Sequence, residues 1–181
     1  MNLIELDLTD GSKVNLNPIQ IVNVISRNGQ GEITTNPLGT TLLYHITNDP
    51  LIVVADLGTL GVPLIELTTN DYKVWINAVM ITAIINGSRV QVCTTANNYE
   101  NRFFVIQKIA AIISAYTGFG LALAQGLTYK GNVLAFSAIQ SAGFQATSVT
   151  TTQIFTGSNA QNDAFQVDQD YATVQSIFSA L

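Results

Sequence analysis

Lys13-Val14-Asn15-Leu16-Asn17-Pro18-Ile19-Gln20-Ile21-Val22-Asn23-Val24-Ile25 recurs further along the chain as Lys73-Val74-Trp75-Ile76-Asn77-Ala78-Val79-Met80-Ile81-Thr82-Ala83-Ile84-Ile85. The Lys-Val pair, the Asn after the next apolar residue and the β-branched run beyond it recur position by position. Upstream, Leu3-Ile4-Glu5-Leu6 recurs as Leu64-Ile65-Glu66-Leu67, one position off that spacing. Turn residues repeat as well, Asp10-Gly11 against Asn70-Asp71 and Asn28-Gly29 against Asn86-Gly87. A duplicated supersecondary unit accounts for all four matches, and such a repeat sets the fold before any local propensity does.

Working outward, Leu6 and Leu8, then Val14 and Leu16, then Ile19, Ile21 and Val24-Ile25 form short alternating or apolar runs cut by Asp-Gly and Asn-Gly, the commonest two-residue hairpin signals. Each unit therefore starts as a β meander. Pro18 cannot donate to a central ladder, so the second run divides into two strands at a corner. Further strands are expected at Thr41 to Ile46 and Val90 to Thr95, which places His45 and Cys93 in corresponding third strands. Gly29 to Gly39 reads as a Gly- and Thr-rich loop with Pro37, an exposed contact element. From Phe103, the positions Val105, Ile106, Ile109, Ile112, Ile113 and Tyr116 predict an amphipathic helix, with Asn101 near its start and Thr117-Gly118-Phe119-Gly120 as its stop. Around Asp49 to Leu60, Pro50 and two glycines predict only a short turn of helix.

The block Ile4-Glu5-Leu6-x-Leu8-Thr9-Asp10-Gly11-x-Lys13-Val14-x-Leu16-Asn17-Pro18 resembles the small flagella-associated FlbD-type domain: a strand, an Asn/Asp-Gly turn, a strand ending in Leu-Asn, more strands and a C-terminal helix. The resemblance covers residues 1–116 as two copies, and the second departs from it where Asn70-Asp71 replaces Asp-Gly. It implies a small β unit and, for function, a cytoplasmic adaptor or binding module of flagellar or secretion type.

Residues 117–181 differ in character. From Ile109 to Asn162, Lys130 is the only charge. Across the whole chain charged residues make up 10%, against about 25% in an ordinary soluble domain. Thr (20), Asn (16), Gln (12) and Ser (10) supply the polarity instead. Tyr129-Lys130-Gly131-Asn132 reads as a turn between Leu121 to Thr128 and Val133 to Ile139, and Phe144 to Phe155 as an extended stretch. At the end, Val167, Tyr171, Val174, Phe178 and Leu181 fall at spacings of four, three, four and three, the seam of a packing helix and a candidate partner interface. Asp163, Asp168 and Asp170 lie near its N-terminal end, where the helix dipole favours them.

Chemistry-bearing motifs are sparse. One His and one Cys assemble neither a zinc site nor a disulfide, and no nucleophile turn surrounds either. No calcium loop occurs, and Gly118-x-Gly120 lacks the remaining elements of a dinucleotide fingerprint. Asn86-Gly87-Ser88 matches a glycosylation sequon and reads as a turn. Seven scattered cations and a net charge of −5 argue against direct nucleic-acid binding. Met1 to Asp10 carries acids rather than a basic and apolar leader, so no secretory signal is expected. Ile109 to Tyr129 is an unbroken uncharged run, but Ser114, Thr117, Gly118, Gly120, Gln125 and Gly126 interrupt its hydrophobicity; a buried helix plus strand is expected rather than a membrane span.

The expectation is thus an α+β, mostly β chain: β unit one at 1–62, β unit two with a closing helix at 63–116, and a charge-poor assembly region ending in a helix at 117–181. No enzyme, cofactor or metal is expected. The overall composition is similar to that of bacteriophage particle proteins. It implies a non-catalytic virion structural protein, capsid-associated, decoration or head-tail, made in a host cytoplasm, that packs as a homo-oligomer against copies of itself and capsid or connector proteins. The adaptor is the alternative; deletion of 117–181 should spare its partner binding while abolishing incorporation of an assembly protein.

Overall fold

The computed structural model describes residues 2–37, 40–96, 102–156 and 164–181. It is an α+β fold, mostly strand. The first unit holds β1 (Ile4–Asp7), β2 (Lys13–Leu16), a 3-10 turn (Pro18–Gln20), β3 (Ile21–Arg27), β4 (Gln30–Thr35), β5 (Leu42–Ile46) and α1 (Pro50–Thr59). The second repeats that order as β6 (Leu64–Thr68), β7 (Lys73–Asn77), a 3-10 turn (Ala78–Met80), β8 (Ile81–Asn86), β9 (Val90–Thr94), β10 (Arg102–Val105) and α2 (Ile109–Gly118).

The C-terminal region repeats it a third time: β11 (Leu123–Tyr129), β12 (Asn132–Ser137), a 3-10 turn (Ala138–Gln140), β13 (Ser141–Ala146), β14 (Thr152–Thr156), β15 (Ala164–Val167) and α3 (Tyr171–Ser179). The three 3-10 turns are evenly spaced, and the strand after each carries a register shift at the same place, Ile21/Asn23, Ile81/Ala83 and Ser141/Gly143. A further bond recurs where the first strand ends. Asp7 N–H donates to Asn48 Oδ1, Thr68 N–H to Gln107 Oε1 and Thr128 N–H to Gln169 Oε1, each acceptor standing just before a helix.

Local chemistry explains the elements. Asn28-Gly29 and Lys130-Gly131 both have positive φ at the two central positions, the twist a tight hairpin requires. Between β6 and β7 the turn closes differently: Thr69 Oγ1 accepts from the N–H groups of Asp71 and Tyr72. Asp49 caps α1 by accepting from Leu51 N–H, with Pro50 where its missing N–H costs nothing, and Asp170 caps α3 by accepting from Thr173 N–H.

Several elements depart from the sequence expectation. Gln30–Thr35, placed in the loop 29–39, is a strand whose Ile33, Thr34 and Thr35 are buried; Gly39 lies outside the described residues. Asp49 to Leu60 holds a full helix of 10 residues, because Pro50 sits at its first position rather than inside it. The run from Phe103 is strand β10 followed by α2, whose helical positions start only at Ile109; Asn101 is outside the described residues. Val167 ends strand β15, and the helix begins at Tyr171 after its cap Asp170; Asp163 lies outside the described residues. Because β4 is a strand, His45 in β5 and Cys93 in β9 do not correspond.

Three cores lie in series, one per unit. Strands are exchanged between them: the sheet order β5-β4-β3-β7-β6 joins the first unit to the hairpin of the second, and β10-β9-β8-β12-β11 joins the second to the hairpin of the third. Hairpin β1-β2 and meander β13-β14-β15 stand as sheets of two and three strands.

Candidate functional site

The chemistry-bearing residues do not converge. His45 is exposed, with Nδ1 3.9 Å from Glu32 Oε1, while Cys93 is buried in a different sheet. No group of three His, Cys, Asp or Glu side chains that could hold a metal is found among the described residues. A cleft of about 610 Å³ runs between the β8–β9 turn and the start of α2, lined by Asn70, Arg89, Phe104, Gln107 and Lys108 among others. It brings two cations to one opening but no acid or base to work with them. Tyr116 is fully buried, burial pushes its hydroxyl pKa up, and it shares a 2.7 Å hydrogen bond with Ser137 across the second junction. That bond ties helix to strand.

Of the predicted partner seam, Val167 and Val174 are fully buried and Phe178 packs on the third core, while Tyr171 and Leu181 remain exposed. The ring of Phe178 lies 4.6 Å from Phe144 and 6.2 Å from Phe136. Val174 and Phe178 thus pack this helix on its own unit, and Tyr171 and Leu181 are left on the surface. No helix of the described residues is long and apolar enough to cross a membrane; Ile109 to Tyr129 is divided between α2 and β11.

What does repeat with geometric fidelity is the junction between units. At the first, β3 pairs antiparallel with β7 through Asn23↔Ile76, Val24↔Trp75, Ile25↔Val74 and Ser26↔Lys73. At the second, β8 pairs with β12 through Ala83↔Phe136, Ile84↔Ala135, Ile85↔Leu134 and Asn86↔Val133, the same register carried forward by one unit. Alternate side chains of this shared ladder face the two neighbouring cores. Val24 and Trp75 enter the first core, whereas Ile25, Val74 and Ile76 enter the second. Ala83, Ile85, Leu134 and Phe136 enter the third. Side-chain amides cross each junction next to the 3-10 turns: Asn77 Nδ2 donates to Ile21 O at 3.0 Å, and Gln140 Nε2 to Val79 O at 2.5 Å.

Both ends of the series expose half of such a junction. On β2, Lys13 and Asn15 are exposed and Val14 half-buried, where Val74, Trp75, Leu134 and Ala135 are buried. On β13, residues 141–146 are half-buried or exposed, where Ile21 to Ile25 and Ile81 to Ile85 are buried. The sequence reading missed these edges because the third unit was not visible in it. Comparison with protein-family models, curated proteins and solved structures returned no match.

Proposed function

We propose that this protein is a non-catalytic structural subunit of a virion, capsid-associated, decoration or head-tail, that works by packing against copies of itself and capsid or connector proteins. The observation that carries this reading is a set of exposed apolar side chains on a nearly uncharged stretch: Phe119, Val133, Ile139 and Val149 are 47%, 51%, 53% and 90% exposed within the region where Lys130 is the only charge. Charge depletion with exposed apolar side chains is the character of surfaces that other protein covers. Serial units of one architecture, which we infer to descend by duplication from one small barrel-like ancestor, suit a part that extends by adding copies.

The test is native mass together with capture by particle components. An assembly subunit exceeds the 19.4 kDa of one chain as concentration rises, or binds capsid or connector protein. A monomer at high concentration with no such affinity overturns the reading.

A further inference from the structure

We propose that the chain associates head to tail with a second copy of itself, β13 of one copy pairing antiparallel with β2 of the next in the register of the two internal junctions. This deepens and rests on the assembly reading above. In the third unit, Gly143, Phe144, Gln145 and Ala146 hold the places of Asn23, Val24, Ile25 and Ser26; in the first, Leu16, Asn15, Val14 and Lys13 hold those of Ile76, Trp75, Val74 and Lys73. The intermolecular ladder is therefore Gly143↔Leu16, Phe144↔Asn15, Gln145↔Val14 and Ala146↔Lys13.

Two features of the first unit fit this use. Asn17 stands where Asn77 does and Gln20 where Gln140 does, so both amides that cross the internal junctions are present. Asn17 Oδ1 caps the local turn through Ile19 N–H, as Asn77 Oδ1 does through Val79 N–H, and the Asn17 amide nitrogen has no acceptor among the described residues. The Gln20 side chain has no partner there either. Head to tail, Asn17 Nδ2 reaches Ser141 O and Gln20 Nε2 reaches Ile139 O.

The open junction is also more polar than the built ones, with Asn15 in place of Trp75 and Gln145 in place of Ile25. An unpaired edge carrying Lys13 and neutral amides resists indiscriminate pairing. The contact is heterologous: the two surfaces differ, and repetition gives a ring or a filament according to the rotation per copy.

The experiment places K13C and A146C on one full-length chain and oxidises it mildly at assembling concentration, with wild type, whose Cys93 is buried, and K13C/Q145C as controls. The expected result is a ladder of species joined by 13–146 disulfides between chains, absent from both controls. In parallel, Gln20→Ala should weaken association about threefold to tenfold at unchanged Tm, the loss of one net hydrogen bond. Large native species without the 13–146 link, or a link closing within one chain, overturn the head-to-tail register and leave the assembly reading standing. A protein that stays monomeric and captures no particle component overturns both.

Discussion

The third unit and the first two share an element order, a bulge position and a capping bond, yet hardly a surface residue. Glu5–Lys13 and Glu66–Lys73 are equivalent ion pairs at 2.6 and 2.8 Å; the third unit places Gly126 and Val133 there. The strand after the turn reads Ile-Val-Asn-Val-Ile in the first unit, Ile-Thr-Ala-Ile-Ile in the second and Ser-Ala-Gly-Phe-Gln in the third. The difference follows burial: β3 and β8 are walls between two cores, while β13 has a core on one side only. Architecture is carried by turns and alternation, and residue identity by what covers each face.

Position-matched substitutions put that comparison at risk. The largest effect is expected at the shared ladder. Trp75→Ala removes a side chain 5% exposed in the first core and should cost about 3–5 kcal/mol, whereas Asn15→Ala, its counterpart on the open edge, should change monomer stability by less than about 0.5 kcal/mol in denaturant titration. A large loss at Asn15 in the monomer would mean that this edge is not open. Next comes the bulge. Asn23 is fully buried with neither side-chain polar atom hydrogen-bonded, where the second unit has Ala83; Asn23→Ala should stabilise by about 1–2 kcal/mol in the same titration.

The smallest effect is electrostatic. The hydrogen bond from Lys73 is the main cause holding the Glu66 carboxyl below its ordinary value, with a lesser bond from Trp75 Nε1. A depressed folded pKa gives stability that is present above the unfolded value and is lost as pH falls through the folded one. Lys73→Met should raise the Glu66 pKa in an NMR titration and flatten that acid-side loss, by less than about 1 kcal/mol because the pair is largely solvated. The third unit, with Gly126 and Val133 there, has no counterpart to titrate.

How much was legible follows the same physics. Two units were readable because buried walls demand Ile and Val at fixed spacing and because Asn17 and Asn77 mark the turn. The third was hidden since its outer wall carries no such demand and Ser137 replaces the Asn. Two signals for it were present: the Lys130-Gly131 turn, and Gln169-Asp170 before the helix as Asn48-Asp49 stands before α1. Strand β4 was lost to a Gly- and Thr-rich composition, and β10 to Phe103, Val105, Ile106 and Ile109 imitating helical spacing across a break at Gln107-Lys108. Deleting residues 117–181 would also strip β12 from β8, so truncation cannot separate an adaptor from an assembly protein.

Whether β2 and β13 are two halves of one junction is tested most directly by amide hydrogen exchange at dilute and at assembling concentration. At dilution, peptides covering residues 13–16 and 141–146 should exchange much faster than those covering 73–76 and 81–86. On concentration, both terminal edges should gain protection together while the internal junctions stay unchanged. Protection that appears on only one of the two edges, or on neither while the mass rises, would contradict it.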